Sequence, residues 1–252
     1  MSLRNKKIVV TGGSRGLGLG LVEALVERGA EVTVVARGAE ALEVVGARLG
    51  VATISADVTD KDAAYRILGE VRPDIVVLNA GATPRMGRLD QLKWEDFSIA
   101  WETDVKAGLY WLQAALNLPL KPGSRVLVGS SGAAVTGSQM SGGYAGSKRM
   151  LWFMAKYANG VAQEKKLGIR FQAIAPRQMI LGTGTGDVAA GAYAGSIGIT
   201  PEQFVTRFGA PMPPRAFGDR VVSVLEDPQY AEGVVFGLSG DAGVIVMEGA
   251  AA

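Results

Sequence analysis

Hydrophobic and polar positions along the chain alternate between short apolar runs and longer segments with helical spacing. The apolar runs are "KIVVT" (7–11), "EVTVVA" (31–36), "VATISA" (51–56), "DIVVLNAG" (74–81), "RVLVGS" (125–130), "IRFQAIAP" (169–176) and "GVVFGL" (233–238). They are continuously apolar, which is typical of strands covered by helices on both faces. The pattern therefore predicts an α/β fold with a doubly wound parallel sheet in three layers and right-handed crossovers.

The segments between these runs predict the helices. One helix follows each of the first three strands, and further helices are expected over about 94–116, from about 144, and near 216–226. No repeat or linker divides the chain, so we expect a single domain over residues 1–252.

The helical and strand pattern breaks after Pro176. The segment "RQMILGTGTGDVAAGAYAGSIGIT" is rich in glycine, and "RFGAPMPPRAFG" is rich in glycine and proline. A long segment of this kind in a compact α/β domain is more often a functional lid than a linker. We therefore expect a mobile flap over about 177–215, with an ordinary irregular connection as the alternative.

Composition and charge exclude several classes of protein. The chain is 48% hydrophobic and 20% charged with a net charge of +2, which suits a soluble globular protein and argues against nucleic acid or an anionic membrane surface as partner. No apolar run approaches the ~18 residues that span a bilayer. The start, "MSLRNKKIVVTGG", does not resemble a signal peptide, so we expect a cytoplasmic protein.

The chain contains no cysteine and no histidine. The lack of cysteine excludes a disulfide, a thiol nucleophile and a cysteine metal site, and we expect no metal. Histidine is the usual general base near neutral pH. Proton transfer in an enzyme with this sequence must therefore fall to a carboxylate, a lysine or a tyrosine.

A glycine-rich loop, "VVTGGSRGLGLG", follows the first strand and opens the first helix. Its glycines let the backbone approach a pyrophosphate at the positive end of a helix. We expect a nucleotide there, although strand–helix turns favour glycine in any case. The candidate cofactor-binding residues of the loop are Gly12, Ser14, Arg15, Gly16, Leu17 and Gly18.

The end of the second strand indicates which nucleotide binds. A carboxylate at this point would bind the adenosine ribose hydroxyls and mark NAD. This chain has Ala36 and then Arg37, with Arg15 in the glycine loop, and two guanidinium groups suit a 2′-phosphate. The sequence therefore favours NADP(H) over NAD(H), unless Arg37 is only a solvated surface residue.

Three motifs occur in order: "TGGSRGLG", "NAG" at 79–81, and Tyr144 four residues before Lys148 with Ser131 thirteen residues before the tyrosine. From Lys7 to about Gly240 the chain resembles the short-chain dehydrogenase/reductase family. The resemblance implies a Rossmann fold and a nicotinamide-dependent oxidoreductase.

The resemblance also implies further cofactor contacts. Asp57 and Val58 would flank the adenine, and Asn79, Ala80 and Gly81 would close the fourth strand beside the cofactor. From the residues alone, Asp57 equally suits the N-terminal cap of the helix that follows it.

Tyr144 and Lys148 are candidate catalytic residues because i, i+4 spacing places them on one face of a helix. A free tyrosine has a pKa near ~10, and a nearby ammonium favours its ionised form. In reduction the phenol would donate its proton to the substrate oxygen, and Ser131 would hydrogen-bond that oxygen. The resemblance implies that both Tyr144 and Lys148 also contact the cofactor, with Lys148 binding the nicotinamide ribose. A tyrosine and lysine that merely share a helix face are the alternative.

The chain departs from the family's pattern at two places. In "WETDVKAG", Asp104 replaces an asparagine that in the family holds a water of the proton relay, so its charge would pair with Lys148 and weaken the pull on Tyr144. In "APRQMIL", Arg177 replaces a glycine and Leu181 a threonine. Arg177 suits a phosphate, an acidic substrate or plain solvent.

The substrate pocket is expected to lie between the loop after the fourth strand, the segment 132–140 and the flap. Its candidate residues are Ala82, Thr83, Arg85 and Met86 of the loop and the apolar Tyr193, Phe204, Phe208 and Met212 of the flap. We expect a small alcohol or ketone as substrate. The apolar segment "MLWFMAKYANGV" and the tail "SGDAGVIVMEGAA" (239–251) favour a homodimer or homotetramer, as in the family, with burial inside a monomer as the alternative.

These observations leave three hypotheses. The first is an NADP(H)-dependent oxidoreductase that interconverts a secondary alcohol and a ketone, with Ser131, Tyr144, Lys148 and Asp104 in the catalytic site. The second is a catalytically weak or silent NADP(H)-binding sensor, motivated by Asp104 and Arg177. The third, an NADP-dependent epimerase or dehydratase, fits less well because such chains usually carry a longer C-terminal domain.

Overall fold

The computed structural model describes residues 2–209 and 212–249. Its centre is an eight-stranded sheet in the order β3-β2-β1-β4-β5-β6-β7-β8. All neighbouring strands pair in parallel except β7 and β8, which are antiparallel. The strands are β1 (Lys7–Thr11), β2 (Glu31–Ala36), β3 (Ala52–Ser55), β4 (Ile75–Leu78), β5 (Arg125–Gly129), β6 (Arg170–Pro176), β7 (Gly233–Ser239) and β8 (Gly243–Gly249).

Helices connect the parallel strands. They are α1 (Gly16–Glu27), α2 (Ala39–Leu49), α3 (Lys61–Val71), α4 (Trp94–Ala100), α5 (Lys106–Asn117), α6 (Ala133–Thr136), α7 (Tyr144–Glu164), α8 (Gly184–Ser196), α9 (Pro201–Val205) and α10 (Pro214–Glu226). A π-helical turn, Trp101–Val105, joins α4 to α5, and short 3₁₀ turns follow α9 and α10.

Two hydrophobic cores lie on opposite faces of the sheet. Val9 faces the core that α3, α5 and α7 complete, whereas Val10 faces the core of α1, α2 and α10. Successive residues of a strand point to opposite faces, so apolar runs without alternation fill both cores. The predicted three-layer, doubly wound sheet is confirmed, and the Rossmann topology places the carboxyl ends of β1, β4 and β5 side by side.

The prediction that the chain after Ser239 is only a tail was wrong. Residues 243–249 form β8, which folds back antiparallel on β7, and Phe236 pairs with Val246. The pattern was hard to recognise because β8 is mostly half-buried rather than continuously apolar. Residues 250–252 lie outside the described residues.

The segment 177–215 is largely helical, so the alternative of an ordinary irregular connection was wrong. That the segment is a mobile flap stays a prediction. Thr183 caps α8 by accepting the Gly186 N–H, and Ala190 and Ala194 are buried on that helix. Thr200 and Gln203 form a reciprocal capping box on α9. This Thr-x-x-Gln spacing with Pro201 at the first position is the sequence signal that predicts a helix start. Residues 210 and 211 are outside the described residues.

The long helix expected over about 94–116 is present but interrupted. Residues 101–105 form the π-helical turn, a rare geometry that is frequent at functional sites. Among the described residues, no helix is both long and apolar enough to cross a bilayer.

Candidate active site

The glycine loop turns tightly between β1 and α1. Gly12 has a φ of +68°, and a Cβ there would lie 2.8 Å from the Cα of Ala80. A Cβ on Gly18 would lie 2.1 Å from the carbonyl oxygen of Gly12. Glycine is therefore required at both positions, because any side chain would separate the loop from the ends of β1 and β4.

Thr11 and Asn79 tie the glycine loop to the end of β4. The Thr11 hydroxyl accepts the backbone N–H groups of Asn79 and Ala80, each at 3.1 Å, and the Asn79 amide donates to the Gly12 carbonyl at 3.3 Å. Sequence reasoning missed Thr11, although it is the residue that begins the glycine motif. The "NAG" segment is thus fixed against the loop by hydrogen bonds.

Arg37 and Asp57 lie beyond the ends of β2 and β3, and both are exposed. The Asp57 carboxylate accepts the backbone N–H and the hydroxyl of Thr59, both at 2.8 Å. These two bonds, with a smaller contribution from the charge of Arg37, hold the pKa of Asp57 below its usual value. The alternative role of Asp57 as helix cap was wrong, because Asp60 caps α3 by accepting the Asp62 N–H.

Tyr144 and Lys148 occupy the first two turns of α7. The Lys148 ammonium lies 5.7 Å from the centre of the Tyr144 ring and donates a hydrogen bond of 3.1 Å to the Gly129 carbonyl at the end of β5. Ser130 donates to the Lys148 carbonyl at 2.9 Å, which fixes α7 against the same strand end. The lysine is buried, so its charge acts on the phenol with little screening by water.

Asp104 lies in the π-helical turn, and its side chain is almost fully buried. One carboxylate oxygen accepts the Ala82 N–H at 2.7 Å, and the other lies 3.0 Å from the Lys148 ammonium. A Cβ on Gly81 would lie 2.9 Å from that second oxygen, so the glycine of "NAG" makes room for the carboxylate. The charge pairing expected between Asp104 and Lys148 is present.

Opposing effects act on the ionisation of Lys148. Burial lowers the pKa of the ammonium, but the charges of Asp104 and Tyr144 and the hydrogen bond to Asp104 outweigh burial and raise it above its usual value. Lys148 is therefore a fixed positive charge at neutral pH.

Ser131 lies two residues beyond β5, and its hydroxyl accepts the Ala133 N–H at 3.2 Å. The bond holds the side chain at the start of α6. It leaves the hydroxyl proton free to donate to another oxygen, because an accepting hydroxyl retains its own O–H.

A single cleft of about 1080 Å³ collects the predicted site residues at the carboxyl ends of the strands. Those that line it are Gly12, Ser14, Arg15, Gly16, Leu17, Arg37, Asp57, Val58, Asn79, Ala80, Gly81, Asp104, Ser131, Tyr144 and Lys148. Gly18 does not line the cleft; it is buried beneath the loop.

The expected substrate end of the cleft is partly as predicted. Thr83 and Met86 line it, but Arg85 does not and lies 3.7 Å from Asp96. From the flap, Tyr193 and Phe204 line the cleft, whereas Met212 is buried in the core under α1 and α10. The side chain of Phe208 lies outside the described part of the structure.

The structure shows where the second departure from the family pattern lies. Arg177 lines the cleft, and its Cδ lies 2.8 Å from the position of a Cβ on Gly237, so the stem of its side chain crosses β7. Leu181 does not line the cleft, whereas Thr183 and Thr185 do. Thr183 also lies against the glycine loop, 3.5 Å from the position of a Cβ on Gly16.

The cleft fits a dinucleotide. Its volume slightly exceeds the usual range of small-ligand sites, about 300–1,000 Å³, as a large ligand requires. It runs from Arg37 past the bare backbone of Gly12 and Gly16 to Tyr144 and Lys148. A nucleotide with its phosphates on the glycines and its far end beside Lys148 would occupy this length.

Two comparisons with known sequences agree with the motifs. A family model described as short chain dehydrogenase matches residues 6–185. The oxidoreductase asL5 of Sarocladium schorii is 31% identical over 186 residues, which are 69% of this chain and 72% of that relative. The NADPH-dependent pterin aldehyde reductase of Arabidopsis thaliana is 31% identical over 182 residues, 68% of this chain and 74% of that relative.

A comparison with solved structures agrees with the fold. A short chain dehydrogenase from Burkholderia cenocepacia J2315, solved in complex with NADP, is 26% identical with a TM-score of 0.74, and the match covers 94% of this chain and 97% of that chain.

Proposed function

This chain belongs to the short-chain dehydrogenase family of oxidoreductases, and from that premise we propose that it is an NADP(H)-dependent member that interconverts a secondary alcohol and a ketone. The observation that carries the proposal is the convergence of the glycine loop, Ser131, Tyr144 and Lys148 on one cleft. The backbone of the loop would bind the phosphates of the cofactor, and the other three residues would bind and protonate the oxygen of a reacting C–O group.

NADP(H) is proposed over NAD(H) because of the cationic end of the cleft. Arg15 and Arg37 are exposed and line that end, and Ala36 stands where a ribose-binding carboxylate would repel a 2′-phosphate. The NADP complex of the Burkholderia protein and the name of the Arabidopsis reductase support the same choice.

The residues of the chain carry the proton chemistry. The bound nicotinamide would deliver a hydride to the carbonyl carbon, or receive it in the oxidative direction. In reduction, Tyr144 donates its O–H proton to the oxygen as the C=O double bond becomes a single bond, and Ser131 orients that oxygen. Lys148 stabilises the phenolate that remains, and in oxidation the phenolate recovers the proton.

We also propose that two copies of the chain pair through the outer face of α7, as the family resemblance implies. Tyr157 on that helix is 61% exposed and stacks on Phe153, and Leu109 on neighbouring α5 is 44% exposed. Exposed apolar side chains on adjacent helices favour burial against a partner.

A second candidate function is an NADP(H)-binding sensor without efficient turnover. The buried ion pair of Asp104 with Lys148 favours it, because the carboxylate opposes the field of the ammonium on Tyr144.

The test is a titration of the purified protein with NADPH and with NADH, in which tryptophan fluorescence reports binding. NADPH consumption is then measured with a panel of carbonyl compounds. We expect tighter binding of NADPH and its consumption with at least one ketone. Tight binding without consumption across the panel would contradict the oxidoreductase and support the sensor. Equal affinity for both nucleotides would contradict the proposed preference.

A further inference from the structure

Three hydroxyl groups, two from one loop and one from a distant helix, meet at the substrate end of the cleft. Tyr193 of α8 hydrogen-bonds to Ser138, and its hydroxyl lies 3.2 Å from that of Ser141. Ser138 and Ser141 are themselves 3.2 Å apart, so the three oxygens form a closed triangle. All three residues line the same cleft as Tyr144. We call this set the hydroxyl triangle.

The hydroxyl triangle has a defined hydrogen-bonding character. Each hydroxyl has one proton to donate and two lone pairs to accept with. The three contacts of the triangle use all three protons, and Ser138 also accepts the Met140 N–H at 3.1 Å. Tyr193 and Ser141 each keep a lone pair that accepts nothing within the triangle. Without rearrangement, the triangle therefore accepts hydrogen bonds from a ligand and donates none.

The hydroxyl triangle is held at a fixed place relative to the proton donor. The Ser141 carbonyl accepts the Tyr144 N–H at 3.1 Å, so Ser141 forms the turn that opens α7. The Ser141 N–H donates to the Ser138 carbonyl at 3.1 Å, and Ser141 is 3% exposed. A ligand group bound to the triangle would thus lie at a constant distance from the Tyr144 hydroxyl.

Tyr193 reaches the triangle from the opposite wall of the cleft. Its ring stacks on Phe204 of α9, with centroids 5.3 Å apart and the planes within 8°. This packing fixes the ring, so that its hydroxyl points across the cleft to the two serines. The pocket therefore combines an apolar wall of two aromatic rings with one accepting polar group.

We propose that the hydroxyl triangle is a specificity site for a second hydroxyl group of the substrate, so that the preferred substrates are hydroxyketones and the corresponding diols rather than simple ketones. The inference rests on the proposed oxidoreductase function and adds the substrate class. The second hydroxyl donates its proton to Tyr193 or Ser141 while the carbonyl oxygen lies at Tyr144 and Ser131. A group that can only accept, such as an ether oxygen, gains nothing from the triangle.

The test compares NADPH consumption with cyclohexanone, 4-hydroxycyclohexanone and 4-methoxycyclohexanone, together with 2-hydroxycyclohexanone for a nearer hydroxyl. We expect kcat/KM for at least one hydroxyketone to exceed that for cyclohexanone by about tenfold, the upper range for one neutral hydrogen bond. The methoxy compound should not exceed cyclohexanone. Equal kcat/KM for all four ketones would overturn the proposal.

The variants Tyr193→Phe and Ser138→Ala/Ser141→Ala separate recognition from a structural role. Both variants should reduce the ratio of kcat/KM for the hydroxyketone to kcat/KM for cyclohexanone at least fivefold. The value of kcat/KM for cyclohexanone itself should stay within twofold of the parent protein. A matched control, Tyr65→Phe, removes a hydroxyl that pairs with Asn117 outside the cleft and should change neither value. An equal fall in kcat/KM for every ketone would show that the triangle has only a structural role, joining α8 to the segment before α7, and would overturn the proposal.

The same assays distinguish failure of the proposed oxidoreductase function from failure of the proposed substrate class. If no ketone is reduced although NADPH binds, the oxidoreductase function fails and this inference falls with it. If ketones are reduced and the reaction needs Tyr144, but hydroxyl groups bring no advantage, only the inference on substrate class fails.

Discussion

The carboxylate of Asp104 lies 3.0 Å from the ammonium of Lys148, and both groups are buried beside Tyr144. The pair links three parts of the site, because Asp104 also holds the Ala82 N–H and Lys148 also donates to the Gly129 carbonyl. The polar partners of the Asp104 carboxylate in the described structure are the Ala82 N–H and the Lys148 ammonium, with no hydrogen bond to the Tyr144 phenol. Asp104 is therefore a positioning residue that acts through Lys148.

Substitution Asp104→Asn tests this role. The amide oxygen can still accept the Ala82 N–H, but the negative charge that raises the pKa of Lys148 is removed. The ammonium then acts on the Tyr144 phenol without an opposing charge, and its own pKa falls. We expect the pH profile of alcohol oxidation to move to lower pH by about one unit, with equal or faster turnover near neutral pH.

The matched control for this charge is Asp96→Asn. Asp96 is a more exposed carboxylate of α4 that lies near Arg85, outside the cleft. Its replacement should leave the pH profile of alcohol oxidation unchanged. A profile that is identical in Asp104→Asn and the parent protein would show that the ion pair does not influence the proton step.

Substitution Tyr144→Phe should remove turnover and preserve cofactor binding. The phenol hydroxyl is the only part of the side chain that is lost, so packing at the start of α7 is retained. We expect kcat to fall by about 10²–10⁴-fold, the range for loss of a general acid, with NADPH affinity within twofold. Steady-state rates and fluorescence titration measure the two quantities. Tyr157→Phe on the same helix is the control, and turnover retained in Tyr144→Phe would refute the proton-donor role.

Substitution Arg37→Ala should weaken NADPH far more than NADH. If the guanidinium binds the 2′-phosphate, its loss removes a charge-assisted hydrogen bond of about 1.5–3 kcal/mol, which is about tenfold to a hundredfold in Kd. NADH has no such phosphate and should bind almost unchanged. Arg48→Ala provides the control, because Arg48 pairs with Glu23 on α1 and does not line the cleft. Equal losses for both nucleotides would disprove the phosphate contact.

Asp74 predicts a pH dependence of stability. Burial raises the pKa of this carboxyl, but hydrogen bonds from Lys121 and the Lys7 N–H and the charge of Lys6 outweigh burial and leave the pKa below its usual value. Its distances are 2.7 Å to the Lys121 ammonium and 2.9 Å to the Lys7 nitrogen. A depressed folded-state pKa stabilises the protein above the unfolded value of about 3.9, and this contribution is lost as the pH falls through the folded value.

Urea unfolding of Asp74→Asn at several pH values checks that prediction. We expect the variant to lose about 1–2 kcal/mol at pH 7, and the difference from the parent protein to shrink toward pH 3. Asp90→Asn serves as control, because Asp90 pairs with Arg88 on the exposed surface. A difference that stays constant from pH 7 to pH 3 would mean that the charge of Asp74 is not what stabilises the fold.

Most of the framework followed from the sequence. Seven apolar runs predicted β1 to β7, and for the inner strands the reason is that a strand buried on both faces needs apolar residues at every position. The edge strand β3 was predicted as well, although it is mostly exposed. The sequence also predicted the glycine loop and the pairing of Tyr144 with Lys148, because both depend on local geometry. The loop needs a turn at positive φ, and the pair needs i, i+4 spacing on a helix.

Other features depend on contacts between residues far apart in the chain, and the sequence alone did not reveal them. The π-helical turn interrupts the predicted long helix, β8 forms by pairing with β7, and Tyr193 hydrogen-bonds to Ser138. The pairing of Asp104 with Lys148 was expected, but only from the family resemblance. The spacing of apolar residues within a segment indicates only which face of that segment is buried. The partner of a hydroxyl group or of an added strand is determined by the packing of whole elements, so only the tertiary structure decided these relationships.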